Sequence, residues 1–234
     1  MIGFDRPIRP RWIYETLLLA EPGQKLSDLN KPFESIAREL TGKEGKRKVR
    51  TVLFRYFLRS EESVAKVKYD LVFKDSSLKY GYDFMVPIYF FYMIGKSGVL
   101  YRMSEHLFRL YSFGSYINVP FLQEKIIDAY GDRDVVSRAV RSFLKTLEYF
   151  NLAAERENKY YFKSPIRVTE DQLRLMLDIY GKYIINSPQI PLDDLPKPIF
   201  GYFDYPDVKV VARKYNGKDW EYQQRVGSDL LVFH

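Results

Sequence analysis

Residues 118–165 read NVPFLQEKIIDAYGDRDVVSRAVRSFLKTLEYFNLAAERENKYYFKSP, and the spacing of their apolar side chains decides the fold. From Pro120 to Tyr130, the residues Phe121, Leu122, Ile126, Ile127 and Tyr130 recur at helical intervals, and Gly131 supplies the stop. Asp132-Arg133 is a short turn. Asp134 is placed to cap a second helix, in which Val136, Ala139, Val140, Phe143, Leu147 and Phe150 form a stripe that must be buried. Asn151 ends that helix. Ala153 to Arg156 and Tyr160 to Lys163 then read as two short strands around the polar turn Glu157-Asn158-Lys159, with Pro165 closing the hairpin.

Two helices joined by a tight turn and followed by a β-hairpin make the pattern of a winged helix. The outer face of the second helix carries the functional argument. Asp134, Arg138, Arg141 and Lys145 lie at i, i+4, i+7 and i+11, so they line up opposite the apolar stripe, with Ser137 and Ser142 beside them. A basic helix face after a short turn has the side chains that reach base edges and phosphates in a major groove. Arg133 in the turn and Arg156, Lys159 and Lys163 on the hairpin are placed to grip the flanking backbone. Double-stranded DNA is the partner this implies. The alternative is a protein-interaction adaptor, because the same module also serves to dock proteins.

Working outward, residues 1–60 hold 13 Lys and Arg against 7 Asp and Glu, which leaves 24 against 23 for the rest of a 234-residue chain of net charge +7. Most of the excess therefore sits in the first quarter, and a polyanion is expected to meet it there. Arg11 to Ala20 reads as a helix. Lys31 to Leu40 and Glu44 to Ser60 read as a helical pair joined at Thr41-Gly42, the second with a basic surface that includes Lys46, Arg47 and Arg50. Val64, Val67 and Leu71 suggest a further helix that breaks at Asp75-Ser76-Ser77. The aromatic run from Tyr80 to Gly98 reads as the centre of the core, in helix or strand, and not as an exposed base-stacking platform. Ser104 to Phe113 is placed to open the winged module.

Beyond the hairpin, Thr169 caps a helix through Tyr180, and four prolines interrupt residues 187–198. Val208 to Ala212 as helix or strand, the turn Asn216-Gly217 and a closing strand from Asp229 to Phe233 follow, the last a candidate to join the wing's sheet. The expectation is a mainly α chain in three parts. These are a basic helix-turn-helix-like module at 1–80, an aromatic core with the winged helix at 81–168, and a C-terminal helix, Pro-rich segment and strand at 169–234.

Catalytic chemistry finds no foothold in these residues. Gly95-Lys96-Ser97 resembles the end of a phosphate-binding loop, but Phe90 stands where the loop needs glycine. The chain has no cysteine and only His106 and His234, so no thiolate or histidine cluster can hold zinc. Asp193, Asp194, Asp204 and Asp207 read as turn and cap residues, and His106 as a hydrogen-bonded structural histidine. No enzyme activity, cofactor or metal is expected. The apolar run Phe84 to Ile94 is about half the ~20 residues a membrane span needs and contains Pro87. No signal peptide is read at the N-terminus, and the cysteine-free composition fits a cytoplasmic protein.

The order of parts, the stretch RAVRSFLKTLEYFNLAAERENKYYF and the ending VKVVARKYNGKDWEYQQRVGSDLLVFH resemble the BrxA-type proteins of BREX phage-defence systems. The resemblance rests on element order and apolar pattern over most of the chain. It implies a small non-enzymatic DNA-binding accessory protein that works beside the other proteins of a defence complex, and it assigns no contact residues.

Overall fold

Residues 82–96 form a helix in which every position from Pro87 to Ile94 is buried. A helix apolar all round can only be a core element. Between Pro87 and Ile94 this one has protein on every side, and the chain wraps around it. The computed structural model describes residues 4–59 and 65–233. Ser60 at the end of the expected basic helix, Val64 in the next, and His234 lie outside the described residues.

The N-terminal part contains α1 (Pro10–Leu19), started by proline at its first position, then α2 (Asn30–Ile36), α3 (Lys43–Phe57) and α4 (Val72–Tyr80). The central helix Tyr82–Lys96 is α5, and α6 (Gly98–Leu110) follows after a bend of 103°. Next come β1 (Tyr116–Ile117), α7 (Val119–Tyr130), α8 (Asp134–Tyr149), β2 (Ala153–Arg156) and β3 (Lys159–Phe162). The C-terminal part is β4 (Ile166–Arg167), α9 (Glu170–Ile179) running into a wide turn at Tyr180–Ile184, β5 (Gln189–Pro191), α10 (Lys197–Phe200), β6 (Phe203–Asp204), α11 (Val208–Lys214), β7 (Glu221–Gln223) and β8 (Leu230–Val232). The fold is mainly α. No single helix among the described residues is long and apolar enough to cross a membrane.

One hydrophobic cluster runs from Phe4 to Phe233 and draws on all three stretches of the chain. Aromatic contacts radiate from α5. Phe90 meets Phe150 at 5.2 Å and Tyr202 at 5.0 Å, Phe91 meets Phe200 at 5.0 Å, and Tyr89 meets Phe57 at 5.8 Å. Pro87 removes one amide donor from the helix ladder. Nearby, the Phe84 carbonyl accepts a hydrogen bond from Gln172 Nε2 at 2.9 Å, which ties α5 to the start of α9. Gln172 also completes a capping box with Thr169, the expected cap.

Four local expectations need correction. Asp75-Ser76-Ser77 does not break a helix but lies inside α4, and Val67 and Leu71 are buried before it in non-helical chain. The Ser77 hydroxyl donates to the Phe73 carbonyl at 2.5 Å and lies 2.5 Å from the Tyr89 hydroxyl, so its polar group is satisfied within the helix interface. Asp134 is the first helical residue of α8, with Arg133 at the cap position and no side-chain cap. Lys159 belongs to β3, because Glu157 (φ 49°) and Asn158 (φ 59°) alone make the two-residue turn. Finally, β8 does not join the hairpin. It pairs between β5 and β7, whereas β1 is the third strand beside β3.

Phe90 is the residue through which α5 touches both the end of α8 and the C-terminal part. Phe90→Ala is expected to cost about 3–5 kcal/mol in urea unfolding, the range for deleting a buried ring without collapse of the site. A loss below about 1 kcal/mol would show that these parts do not share their core.

Candidate nucleic-acid interface

The stretch from α6 to β3 places a helix pair, α7 and α8, beside a three-stranded antiparallel sheet in the order β1-β3-β2. Each junction has a local cause. The Asn118 side chain accepts the Phe121 amide at 3.1 Å and starts α7, while Gly131 (φ 83°) ends it. Asn151 (φ 62°) turns the chain out of α8 into β2. In the hairpin Ala153 pairs with Phe162 and Arg156 with Lys159.

α8 is two-sided. Val136, Ala139, Val140, Phe143, Leu144 and Leu147 are buried, while Asp134, Arg138 and Arg141 are exposed. Arg141 makes no ion pair or side-chain hydrogen bond among the described residues, and Arg138 makes a 3.8 Å pair with the almost fully exposed Asp134. Such a pair contributes well under about 1 kcal/mol and yields readily to a stronger anion. Arg133 is exposed in the turn, with Nη2 donating to the Tyr130 carbonyl at 2.9 Å. Its guanidinium retains donors for a second acceptor. Ser137 is half-buried at the same face.

Two residues assigned to this face from their spacing are engaged elsewhere. Ser142 is buried, and its carbonyl accepts the Thr146 hydroxyl at 2.7 Å. Lys145 holds Glu148 at 2.6 Å and Glu155 at 3.0 Å, and these two carboxylates push its pKa well above the usual lysine range. Its charge is spent on fastening α8 to β2. Helical spacing shows which face a side chain leaves from, but not that a strand arriving later brings Glu155 to meet it.

The hairpin adds exposed Arg156 and Lys159, the latter 6.0 Å from the Tyr116 ring. Arg156, Lys163 and Arg167 line one groove of about 620 Å³ at the base of the hairpin. Nothing in the sequence pattern marks Arg167 for this place. It arrives there because β4 pairs in parallel with β6, a long-range contact with no local signal.

In the N-terminal part the basic residues of α3 divide. Lys46 donates to the Glu34 carbonyl at 3.2 Å, and Arg47 grips Glu44 one turn earlier at 2.7 Å. Arg50 instead lines a separate cleft with residues of other elements. His106 is buried, and its Nδ1 accepts from Arg109 at 2.7 Å, since a guanidinium can only donate. Burial and that neighbouring charge hold its pKa below the ordinary value. In the Gly95-Lys96-Ser97 stretch, a Cβ on Gly95 would lie 2.4 Å from Ile184, so this glycine serves close packing. Asp207 caps α11 by accepting the Lys209 and Val210 amides. Among the described residues no three acidic, histidine or cysteine side chains converge to hold a metal.

No family model, curated protein or solved structure matches the chain.

The division of labour on α8 is measurable. Lys145→Gln is expected to lower stability by about 1 kcal/mol or less, through loss of the tie to Glu148 and Glu155, and to leave the salt dependence of any duplex binding unchanged. Thermal melting and a binding titration at two salt concentrations read these separately. A salt slope that falls as it does when a cation no longer neutralises a phosphate would return Lys145 to the interface.

Proposed function

We propose that the chain is a non-enzymatic double-stranded DNA-binding protein. In this reading the stretch from α6 to β3 is a winged helix, α8 enters the major groove and the β2–β3 hairpin is the wing. The observation that carries it is the pair Arg138 and Arg141. Both are exposed on the face of α8 opposite its buried stripe, one without a partner among the described residues and the other only loosely paired, and Arg133 and Lys159 flank them from the turn and the hairpin. Guanidinium groups on an exposed helix face suit phosphate oxygens and guanine edges alike. The resemblance to BrxA-type proteins adds the context of an accessory factor in a phage-defence system, acting in the cytoplasm with larger protein partners.

A second reading has its own observation. Phe113, Tyr116 and Phe121 are exposed aromatic residues around β1 and the start of α7, which suits an adaptor that docks on a protein. Titration of a labelled duplex by fluorescence anisotropy separates the two. Arg138→Glu with Arg141→Glu is expected to weaken binding at least tenfold, with a log–log salt slope reduced by roughly 0.9 for each phosphate that is no longer neutralised. If one of them reads a guanine edge, its removal costs about 1–3 kcal/mol at that base pair alone. Lys46→Glu with Arg47→Glu should stay within about twofold. Unchanged affinity in the first variant with the fold intact would remove α8 as the DNA surface, and no duplex binding by the unaltered protein would leave the adaptor reading.

A further inference from the structure

Away from α8, a cleft of about 440 Å³ opens between the turn at Lys25–Leu29, one side of α3 and the chain at residues 65–66. Its size suits a small ligand. Four cationic residues line it, Lys25, Arg50, Arg59 and Lys66, together with Ser27 and Asn30, and no Asp or Glu among the described residues lines it. Glu61 and Glu62 lie outside the described residues. We propose that this cleft binds a phosphate group, carried either by a small phosphorylated molecule or by a nucleic-acid backbone.

The cleft holds its charges together against their repulsion. Lys25 and Lys66 sit opposite each other in an antiparallel bridge, fixed by Leu26 N–H to the Ala65 carbonyl at 2.9 Å and Val67 N–H to the Gln24 carbonyl at 2.8 Å. Like charges directly across such a pair destabilise it. None of the four cationic side chains has an ion pair or side-chain hydrogen bond among the described residues, whereas Lys74, Lys125, Lys209 and Lys214 each hold an acid. Arg59 Nε is buried with no acceptor, a missing partner on the donor side of the cleft. The Arg50 guanidinium is partly desolvated, which pushes its pKa down. Glu34 opposes that effect from outside the cleft, and Arg47 reinforces it. A phosphate supplies what is lacking: one negative charge as a backbone diester or close to two as a monoester, and several acceptor oxygens against four cations, with Ser27 and Asn30 able to bond the remaining oxygens. The groove at the hairpin is also basic, but Lys163 there already donates to Asn151.

The test uses the full chain and two probes, inorganic pyrophosphate by calorimetry and a short duplex by anisotropy, each at constant ionic strength. The variant Lys25→Gln with Lys66→Gln removes only exposed side chains. It should melt at or above the temperature of the unaltered protein, because a repulsion is relieved. If pyrophosphate binds the unaltered protein and this variant weakens it at least tenfold while Arg138→Glu with Arg141→Glu does not, the source is a small phosphorylated molecule. If pyrophosphate does not bind but the lysine variant weakens the duplex at least tenfold, the cleft takes a backbone phosphate. That result stands even if the α8 variant leaves duplex affinity intact and α8 is not the DNA surface. Indifference of both probes to the lysine variant overturns the proposal. Arg59→Gln serves as the second variant, and an affinity in it equal to that of the unaltered protein, for whichever probe the lysine variant weakens, would do the same.

Discussion

The fold depends on the burial of α5. From Pro87 to Ile94 this helix carries apolar and aromatic residues on every face and has no side to show to water, so neighbouring elements have to enclose it. α1 and α4 cover it from the N-terminal side, α6 and α10 from another, and α9 from a third. Phe90 and its contacts with Phe150 and Tyr202 then connect the end of α8 to the C-terminal part through the same core. The geometry of the candidate interface is therefore set from behind. α8 can present Arg138 and Arg141 to solvent because Val136, Val140, Phe143 and Leu147 are held by a core that is not its own.

The electrostatics of the surface follow a simple rule of occupancy. Where a basic residue has an acid within reach, as Lys145 has Glu148 and Glu155 or Arg47 has Glu44, its charge fastens one part of the chain to another. Where no ion pair or side-chain hydrogen bond holds it among the described residues, as at Arg141 or at Arg50 and Lys66 in the cleft, the side chain stays unpaired. A net charge of +7 says little about which cations are free, whereas the pairing pattern separates them.

Much of the helical layout was legible because long periodic stretches bury one face. α7, α8, the hairpin and the Thr169 cap all follow from apolar spacing and single stop or cap residues such as Gly131 and Asn151. What the sequence concealed came from partners far along the chain. Ser77 looked like a helix breaker until Tyr89 came to rest against its hydroxyl, and β8 looked like a partner for the wing although β5 and β7 had the matching edges. The candidate interface was half legible for the same reason. The face of Arg138 and Arg141 is a local property of a helix, while the neutralisation of Lys145 by Glu155 and the arrival of Arg167 beside Arg156 require the folded topology.

Gln172 shows how closely local and distant order are joined. Its Oε1 accepts the Thr169 amide at 2.8 Å and its Nε2 donates to the Phe84 carbonyl at 2.9 Å, so one planar amide begins α9 and binds it to the proline-bearing turn of α5. The two ends of that amide are chemically unequal. Deamidation would keep an oxygen for Thr169 but set a second oxygen, and a negative charge, against the Phe84 carbonyl. Chemical ageing at this position would therefore leave the helix start intact while loosening its attachment to the core, and the damage would surface as slippage between two otherwise well-formed helices.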